Sequence, residues 1–332
     1  MKVLVTGNNG YIGTVLTKEL IDKSYKVVGL DTNYFFDCKL KEFELHHKQI
    51  TKDIRQINSD DIKDYNIVIH LAGLANDPLG ELDPLLTEKI NFDSTVELAK
   101  LCKKNGVSRF IYASSQSMYG ISKNENELDE DNSQKNPVTA YAKTKWEAEL
   151  EIKKLSDKNF CVVMFRPSTV FGASPRLRCD IVFNNLVACA FTTGKIEILS
   201  DGKPWRPVIH VKDLCNAFIA GIEAPKDLVN GQAFNVGIEN GNFTVKELAE
   251  AAHKAVPGSE LVFLNQHTDP RTYRVSFKKI LTVLKDYFKP EWSLDRGGKE
   301  LVNYFKEIDF KESDFRNEKV NRLKKLEKLL KE

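Results

Sequence analysis

Tyr141 and Lys145 stand four residues apart in Thr139-Ala140-Tyr141-Ala142-Lys143-Thr144-Lys145, a spacing that puts both on one face of a helix, one turn apart. A free phenol ionises near pH about 10. An ammonium group beside it favours the phenolate, and such a pair is a base for an alcohol. Ser114 and Ser115 directly follow an apolar run, Arg109-Phe110-Ile111-Tyr112-Ala113. A hydroxyl there could hold a substrate oxygen while Tyr141 removes its proton. The chemistry is complete when a hydride leaves the same carbon for an acceptor. A tyrosine four before a lysine is by itself usually surface decoration, so acceptor and framework must come from elsewhere in the chain.

The acceptor's seat lies at the start. Lys2-Val3-Leu4-Val5-Thr6 reads as a buried strand and runs into Gly7-Asn8-Asn9-Gly10-Tyr11-Ile12-Gly13. An amphipathic helix follows, with Val15, Leu16, Leu20 and Ile21 on one face, and then a second strand, Lys26-Val27-Val28-Gly29-Leu30, ending in Asp31. Strand, glycine turn, helix, strand, acid is the order of a dinucleotide-binding unit. Gly7 permits the sharp turn. Gly10 lets the main chain of Asn9, Gly10, Tyr11 and Ile12 approach a pyrophosphate at the positive end of the helix. Gly13 allows close helix–strand packing. Asp31 can take both hydroxyls of an adenosine ribose and would repel a 2′-phosphate. Thr32-Asn33-Tyr34 offers no basic residue to offset that repulsion. The cofactor expected is NAD.

The intervening elements must bring the two ends together. His47 to Thr51 is a candidate third strand, with Asp53 and Ile54 after it placed to lie beside an adenine. Asn66-Ile67-Val68-Ile69-His70 is a fourth, ending in Leu71-Ala72-Gly73. A long helix is expected from about Pro84 to Lys104, a fifth strand at 109–113, a helix from about Val138 to Leu155 and a sixth strand at 160–165. Strands alternating with long helices make a doubly wound parallel α/β sheet, with ligands outside the carboxyl ends of its strands. Trp205–Leu214 and Gln232–Gly237 look like returns to that sheet. The division expected is therefore 1–167 plus 205–237 for the cofactor domain. A smaller discontinuous substrate lobe takes 168–204 plus 238–332. Lys311 to Glu332 reads as a charged helix with Val320, Leu323, Leu326 and Leu329 at helical spacing, docked to close that lobe.

With 332 residues the chain can bury a sizeable core, and a net charge of +2 gives no reason to expect nucleic acid or a membrane surface as partner. The six cysteines form no CxxC pair and the six histidines no metal spacing, so no metal is expected. Met1 abuts the first strand and no apolar run approaches a membrane span; the expected location is the cytoplasm.

Gly7, Gly10, Gly13, Asp31, Asp53-Ile54, Ser114-Ser115-Gln116-Ser117-Met118-Tyr119-Gly120, the Tyr141–Lys145 pair and Arg166-Pro167-Ser168-Thr169-Val170-Phe171-Gly172 occur here in a fixed order. Together they resemble the extended short-chain dehydrogenase/reductase family, and within it the NAD-dependent nucleotide-sugar epimerase/dehydratase branch. The resemblance runs from the first strand to about Ile280. It implies a Rossmann domain with a lobe gripping a nucleotide sugar, and a homodimer formed through the helices around Asn91–Lys104 and Tyr141–Leu155. By position, Ser115 polarises the sugar 4-hydroxyl, Tyr141 is the base, and Lys145 holds the nicotinamide ribose and tunes Tyr141. Leu71, Ala72, Gly73, Asn91, Ser114, Arg166 and Ser168 complete the cofactor set. Asn76, Gln116, Ser117 and Thr169 border the sugar, Asn185, Leu186 and Arg206 match contacts to the nucleotide diphosphate, and Asp269 an acid on the nucleotide ribose.

Two departures from the pattern matter. Dehydratases of the branch follow the catalytic hydroxyl with Asp and Glu; Gln116 and Ser117 cannot serve as acid and base, which disfavours 4,6-dehydration. The arginine usual before the ribose acid is missing from Gln266-His267-Thr268-Asp269-Pro270-Arg271, leaving Arg271 or Arg274 as substitutes. Ser174-Pro175-Arg176-Leu177-Arg178-Cys179-Asp180 is either a solvated loop or, through Arg178, a contact to substrate phosphate or sugar. The expected activity is C4 epimerisation. The rivals are a 4-dehydrogenase or ketoreductase with net redox change, and a non-catalytic NAD-binding protein.

Overall fold

The computed structural model describes residues 1–44, 46–121, 126–264, 266 and 272–331. Among these, twelve strands occur in chain order: β1 (Lys2–Thr6), β2 (Lys26–Asp31), β3 (Lys48–Thr51), β4 (Ile67–His70), β5 (Arg109–Ala113), β6 (Cys161–Pro167), β7 (Thr169–Phe171), β8 (Lys195–Ile198), β9 (Trp205–His210), β10 (Gln232–Val236), β11 (Asn242–Thr244) and β12 (Glu260–Phe263). The main sheet is wholly parallel, in the order β3-β2-β1-β4-β5-β6-β10. Side chains alternate between its faces. Val3 and Val5 join a core built with the helices Tyr11–Asp22 and Val211–Glu223. Leu4 faces the other way, toward Ser94–Lys104 and Ala140–Lys153. Between β1 and β4 the order of connection reverses, which opens a crevice at the carboxyl ends of those strands.

The second lobe has its own core, where Phe183, Leu248, Leu301 and Phe305 meet from the helices Val182–Thr193, Val245–Ala255 and Leu294–Glu307. Of the two expected returns to the main sheet, Gln232–Val236 does return, beside β6. Trp205–His210 does not: it pairs with β7 and β11 in a separate three-stranded sheet. A short apolar run does not reveal which edge it will join, and β10 occupies the place beside β6.

The expected helix from Pro84 to Lys104 is continuous but contains a wide π turn, Lys89–Asp93. The tail is not one helix. It breaks into Glu312–Phe315, a 3-10 turn at Glu318–Val320, and Arg322–Leu329. Its buried residues are Phe315, Val320, Arg322 and Lys325, while Leu323, Leu326 and Leu329 are only half-buried. Among the described residues no helix is long and apolar enough to cross a membrane, no acidic, His or Cys cluster could hold a metal, and all six cysteines are free.

Candidate active site

Thr139 begins the helix Ala140–Lys153 by accepting a hydrogen bond from the Ala142 amide (3.1 Å), and its hydroxyl donates to Asp77 Oδ1 (2.6 Å). The helix start is thereby pinned to the short helix Asp77–Glu81. There Gly80 lies so close that a Cβ would come within 2.9 Å of Tyr141 Cβ. Tyr141 is buried, and Ser115 lies close enough to its phenol to draw the phenol's pKa down. Ser115 Oγ accepts from the Ser117 amide (3.1 Å), which leaves its proton for the Tyr141 oxygen or for a substrate hydroxyl. Burial raises the Tyr141 pKa to about 12; Ser115 and Arg178 pull it down, Asp77 and Tyr273 push it up. Lys145, one turn on, donates from Nζ to the Ala113 carbonyl (2.9 Å) and sits 4.8 Å over the Tyr112 ring. Burial without a carboxylate partner pushes Lys145 down to about 7.

The glycine turn has the form a dinucleotide needs. A Cβ on Gly7, whose φ is +73°, would meet the Ala72 nitrogen at 2.7 Å, and one on Gly13 would collide with the Gly7 carbonyl. Gly10 caps the helix Tyr11–Asp22 without any side-chain hydrogen bond, so the first N–H groups remain for an anion. Asp31 closes this end: its two oxygens accept from the amides of Asn9 (3.1 Å) and Asn33 (2.9 Å). Burial pushes its pKa up and those amides pull it back. Asp53 is engaged by Arg55 (2.6 Å), while Ile54 is buried. These residues fit NAD: an uncapped helix start for the pyrophosphate and a carboxylate with spare lone pairs for the ribose.

Several expected contact residues are instead occupied within the protein. Arg166 is buried in an ion pair with Glu149 and donates to Tyr119 Oη (3.0 Å); Ser114 Oγ donates to the same Glu149 (2.6 Å). Glu149 follows Lys145 by one turn, so Tyr141, Lys145 and Glu149 form one stripe, tied at its far end to β5 and β6. Gln116 is buried and donates to the Arg166 carbonyl (2.9 Å) and Ser168 Oγ (3.2 Å), while Ser168 donates to the Val236 carbonyl (2.8 Å). Asn91 clamps Leu74 by both amide groups, at 2.8 and 3.0 Å. It sits in the π turn, which brings its side chain to the loop after β4. From β4, His70 joins Thr6 (2.7 Å) to Thr95 (2.8 Å), and Thr95 donates on to the Asn91 carbonyl (2.8 Å). Burial holds the His70 pKa down to about 3, so this link is uncharged. Asn76 caps the helix at Asp77–Glu81, accepting from the Leu79 amide (3.0 Å).

The 174–180 segment is not a solvated loop. Ser174, Arg176, Leu177, Arg178 and Cys179 are all buried. Arg176 donates to the carbonyls of Phe35 (3.1 Å) and Phe36. Arg178 grips Asp180 with two bonds of 2.9 Å and lies within electrostatic reach of Tyr11 and Tyr141. Asn185 is exposed and donates to the Cys179 carbonyl (2.8 Å). Its neighbour Asn184, which the sequence reading passed over, is the buried one: it accepts from the Gly172 amide (2.9 Å) and donates to Tyr11 Oη (3.2 Å) and the Arg178 carbonyl (2.9 Å). Leu186 is buried beside it. The helix Val182–Thr193 has no side-chain cap at its start. Arg206, in β9, donates to the Trp205 carbonyl (2.8 Å). Ser117 and Thr169 are half-buried, and Asp269 and Arg271 lie outside the described residues.

Comparison with known proteins agrees with this construction. The family model described as the NAD dependent epimerase/dehydratase family matches residues 3–237. The chain is similar to a UDP-glucose 4-epimerase of Bacillus subtilis (strain 168), 29% identical over 292 residues, covering 79% of this chain and 84% of the relative. It is similar also to a UDP-N-acetyl-alpha-D-glucosaminuronate decarboxylase of Bacillus cytotoxicus, 25% identical over 338 residues, with 93% and 98% covered. Among solved structures, a UDP-glucuronic acid 4-epimerase from Bacillus cereus in complex with NAD superposes with a TM-score of 0.77 at 26% identity, covering 92% of this chain and 97% of that one.

Proposed function

Because the chain belongs to the NAD-dependent epimerase/dehydratase family, we propose that it oxidises C4 of a nucleotide-linked sugar and returns the hydride to the opposite face, as a sugar-nucleotide 4-epimerase. The observation that carries this reading is the burial together of Ser115, whose presence draws the Tyr141 phenol's pKa down, Tyr141 itself, and Lys145 one helical turn away. NAD supplies the hydride acceptor. The turn from Gly7 to Gly13 would hold its pyrophosphate, Asp31 its adenosine ribose and Lys145 its nicotinamide ribose. Ser115 holds the 4-hydroxyl and Tyr141 removes its proton. The 4-keto sugar then turns in the pocket, and Tyr141 gives the proton back.

The substrate's diphosphate is assigned to the uncapped start of Val182–Thr193 with Asn185, Leu186 and Arg206, and its nucleoside to Asp269 and Arg271. Epimerisation is favoured over water elimination because Gln116 and Ser117 cannot act as an acid–base pair, and because Gln116 is spent in the wall. The relatives' names put UDP-sugars first in any panel. The proposed assembly is a cytoplasmic homodimer through the helices Ser94–Lys104 and Ala140–Lys153.

Incubation with UDP-hexoses, UDP-uronic acids and their N-acetyl forms, followed by NMR of the C4 configuration, tests the function. Inversion with NADH absorbance unchanged is the expected result, and inertness across the panel refutes it. A stoichiometric rise or fall in NADH would move the assignment to the 4-dehydrogenase or ketoreductase.

A further inference from the structure

We infer that Arg176 is a positioning residue of the cofactor site: it fastens the loop after β2 to the substrate lobe, which keeps Asn33 bonded to Asp31 and slows the release of NAD. The inference rests on the reading that Asp31 holds the adenosine ribose. That carboxylate has one oxygen on the Asn9 amide (3.1 Å) and the other on the Asn33 amide (2.9 Å). The Asn33 side chain accepts from Asn9 Nδ2 (2.6 Å) and donates to Thr51 Oγ1 (2.9 Å). The glycine turn, β2 and β3 therefore meet where this loop begins, beside the proposed ribose seat.

With only Tyr34 between, the loop passes from Asn33 to Phe35, and from there it is held by the other lobe. Arg176 Nη1 donates to the Phe35 carbonyl (3.1 Å) and to the Phe36 carbonyl. Its guanidinium lies 5.0 Å from the centre of the Phe36 ring and 5.1 Å from that of Phe43. The tail brings two more cations to the same stretch: Arg322 sits 5.4 Å from the Phe35 ring, and Lys325 pairs with Asp37 (2.7 Å). Arg322 Nη2 also donates to the Arg176 carbonyl (3.0 Å), and Leu40 packs against the substrate-lobe core. On the cofactor side, Ser174 Oγ accepts from the Arg176 amide (3.2 Å) and donates to the Tyr11 carbonyl (2.8 Å). Arg176 thus stands on a backbone already tied to the glycine-turn helix.

Burial makes the fastening hard to undo. Arg176 is 1% exposed, its Nε has no hydrogen-bond partner, and the acceptors its guanidinium holds are the two loop carbonyls. Lifting the loop would break two charge-assisted bonds and part the cation from both rings. A guanidinium is weakly hydrated, so water compensates little for that loss. While Phe35 and Phe36 stay down, the Asn33 amide stays on Asp31. Lys325 adds less, because the Asp37 side chain is 58% exposed and solvent screens such a pair.

The test follows displacement of prebound NADH by excess NAD, through the fluorescence of bound NADH. It compares the parent chain, Arg176→Met, Arg176→Lys, Lys325→Met, Asp31→Ala and the double variant Arg176→Met/Asp31→Ala, with melting midpoints recorded in the absence of nucleotide. Arg176→Met should release NADH about tenfold faster. Arg176→Lys, which can reach both carbonyls from one nitrogen, should fall between it and the parent. Lys325→Met should release NADH about two- to threefold faster. The dissociation constants of NADH and of ADP-ribose, which carries the adenosine half without nicotinamide, should rise by the same factor in Arg176→Met. Because Arg176 acts through Asp31, the double variant should release NADH no more than about twofold faster than Asp31→Ala alone. Losses that multiply in the double variant, a loss confined to NADH, or an unmoved rate in Arg176→Met each overturn the inference. Should Arg176→Met not fold, an unmoved rate in Lys325→Met overturns it. Asp31→Ala binding ADP-ribose as tightly as the parent would remove the ribose assignment itself.

Discussion

Replacing Arg166 with Met should be among the most damaging single substitutions outside the cleft. Arg166 and Glu149 are each 3% exposed as side chains. Glu149 receives one Nε–H shared between its two oxygens at 3.1 Å, a further Nη2 bond and the Ser114 hydroxyl at 2.6 Å. Taking the arginine away leaves a carboxylate sealed from water with one neutral donor. Breaking a buried pair from one side costs about 3–5 kcal/mol. Orphaning the arginine bond to Tyr119 Oη adds about 1 kcal/mol. The double variant Arg166→Met/Glu149→Leu removes both charges and leaves only the Ser114 and Tyr119 hydroxyls to repair, a loss of about 1–3 kcal/mol. Urea denaturation of the four proteins of the cycle measures both numbers, with the denaturant slope required to stay constant. A single-variant loss under about 1 kcal/mol, or losses that simply add, would refute the reasoning that this pair is a coupled unit holding the Tyr141 helix to β5 and β6.

Further outcomes are expected. Tyr141→Phe should lower C4 oxidation by about 10²–10⁴-fold while retaining NAD, read by rapid-quench product analysis and by the nucleotide released on denaturation; equal loss of NAD would count against a purely chemical role. Lys145 is bound to fewer protons in the folded chain than in the unfolded one between its lowered pKa of about 7 and the ordinary lysine value of about 10.4. Its contribution to stability therefore rises with pH across that window. Lys145→Met should flatten the rise in thermal-melting midpoint, and an unchanged slope would refute the burial argument. Gly13→Ala should yield a chain that purifies without NAD or melts early, because the added methyl meets the Gly7 carbonyl. Full cofactor retention at the parental melting temperature would contradict the packing described.

The cofactor half was legible because its signals are local. The run Val3–Val5, the glycine turn and Asp31 lie within one supersecondary unit, and each has a physical reason that one stretch of sequence displays. Ser115, Tyr141 and Lys145 became legible once the strand and helix carrying them were placed. What escaped depends on contacts far apart in the chain. Arg166 is expected in the cofactor set by resemblance alone, and nothing local marks Glu149 as its buried partner until β6 and the Tyr141 helix are docked. Asn184 and Asn185 differ by one residue of helical phase, and only packing against Tyr11 and Gly172 shows which turns inward. The π turn at Lys89–Asp93 has no compositional mark, although Asn91 lies at its centre. β9 looked like a main-sheet strand because apolar runs carry no record of their neighbours. The tail's leucines suggest an apolar stripe, yet of that stripe only Val320 is buried, and beside it lie Arg322 and Lys325, each engaged by a partner that local pattern does not reveal.

The position of β10 at the edge of the main sheet bears on how the polypeptide is made. A ribosome finishes β6 at Pro167 and does not reach Gln232 for roughly 3–13 s at ordinary elongation speeds. During that interval Cys161-Val162-Val163-Met164-Phe165 presents an open backbone edge of the kind that recruits stray strands. Slow-translating hosts should therefore accumulate more insoluble nascent product truncated between those two points than chains released after Val236.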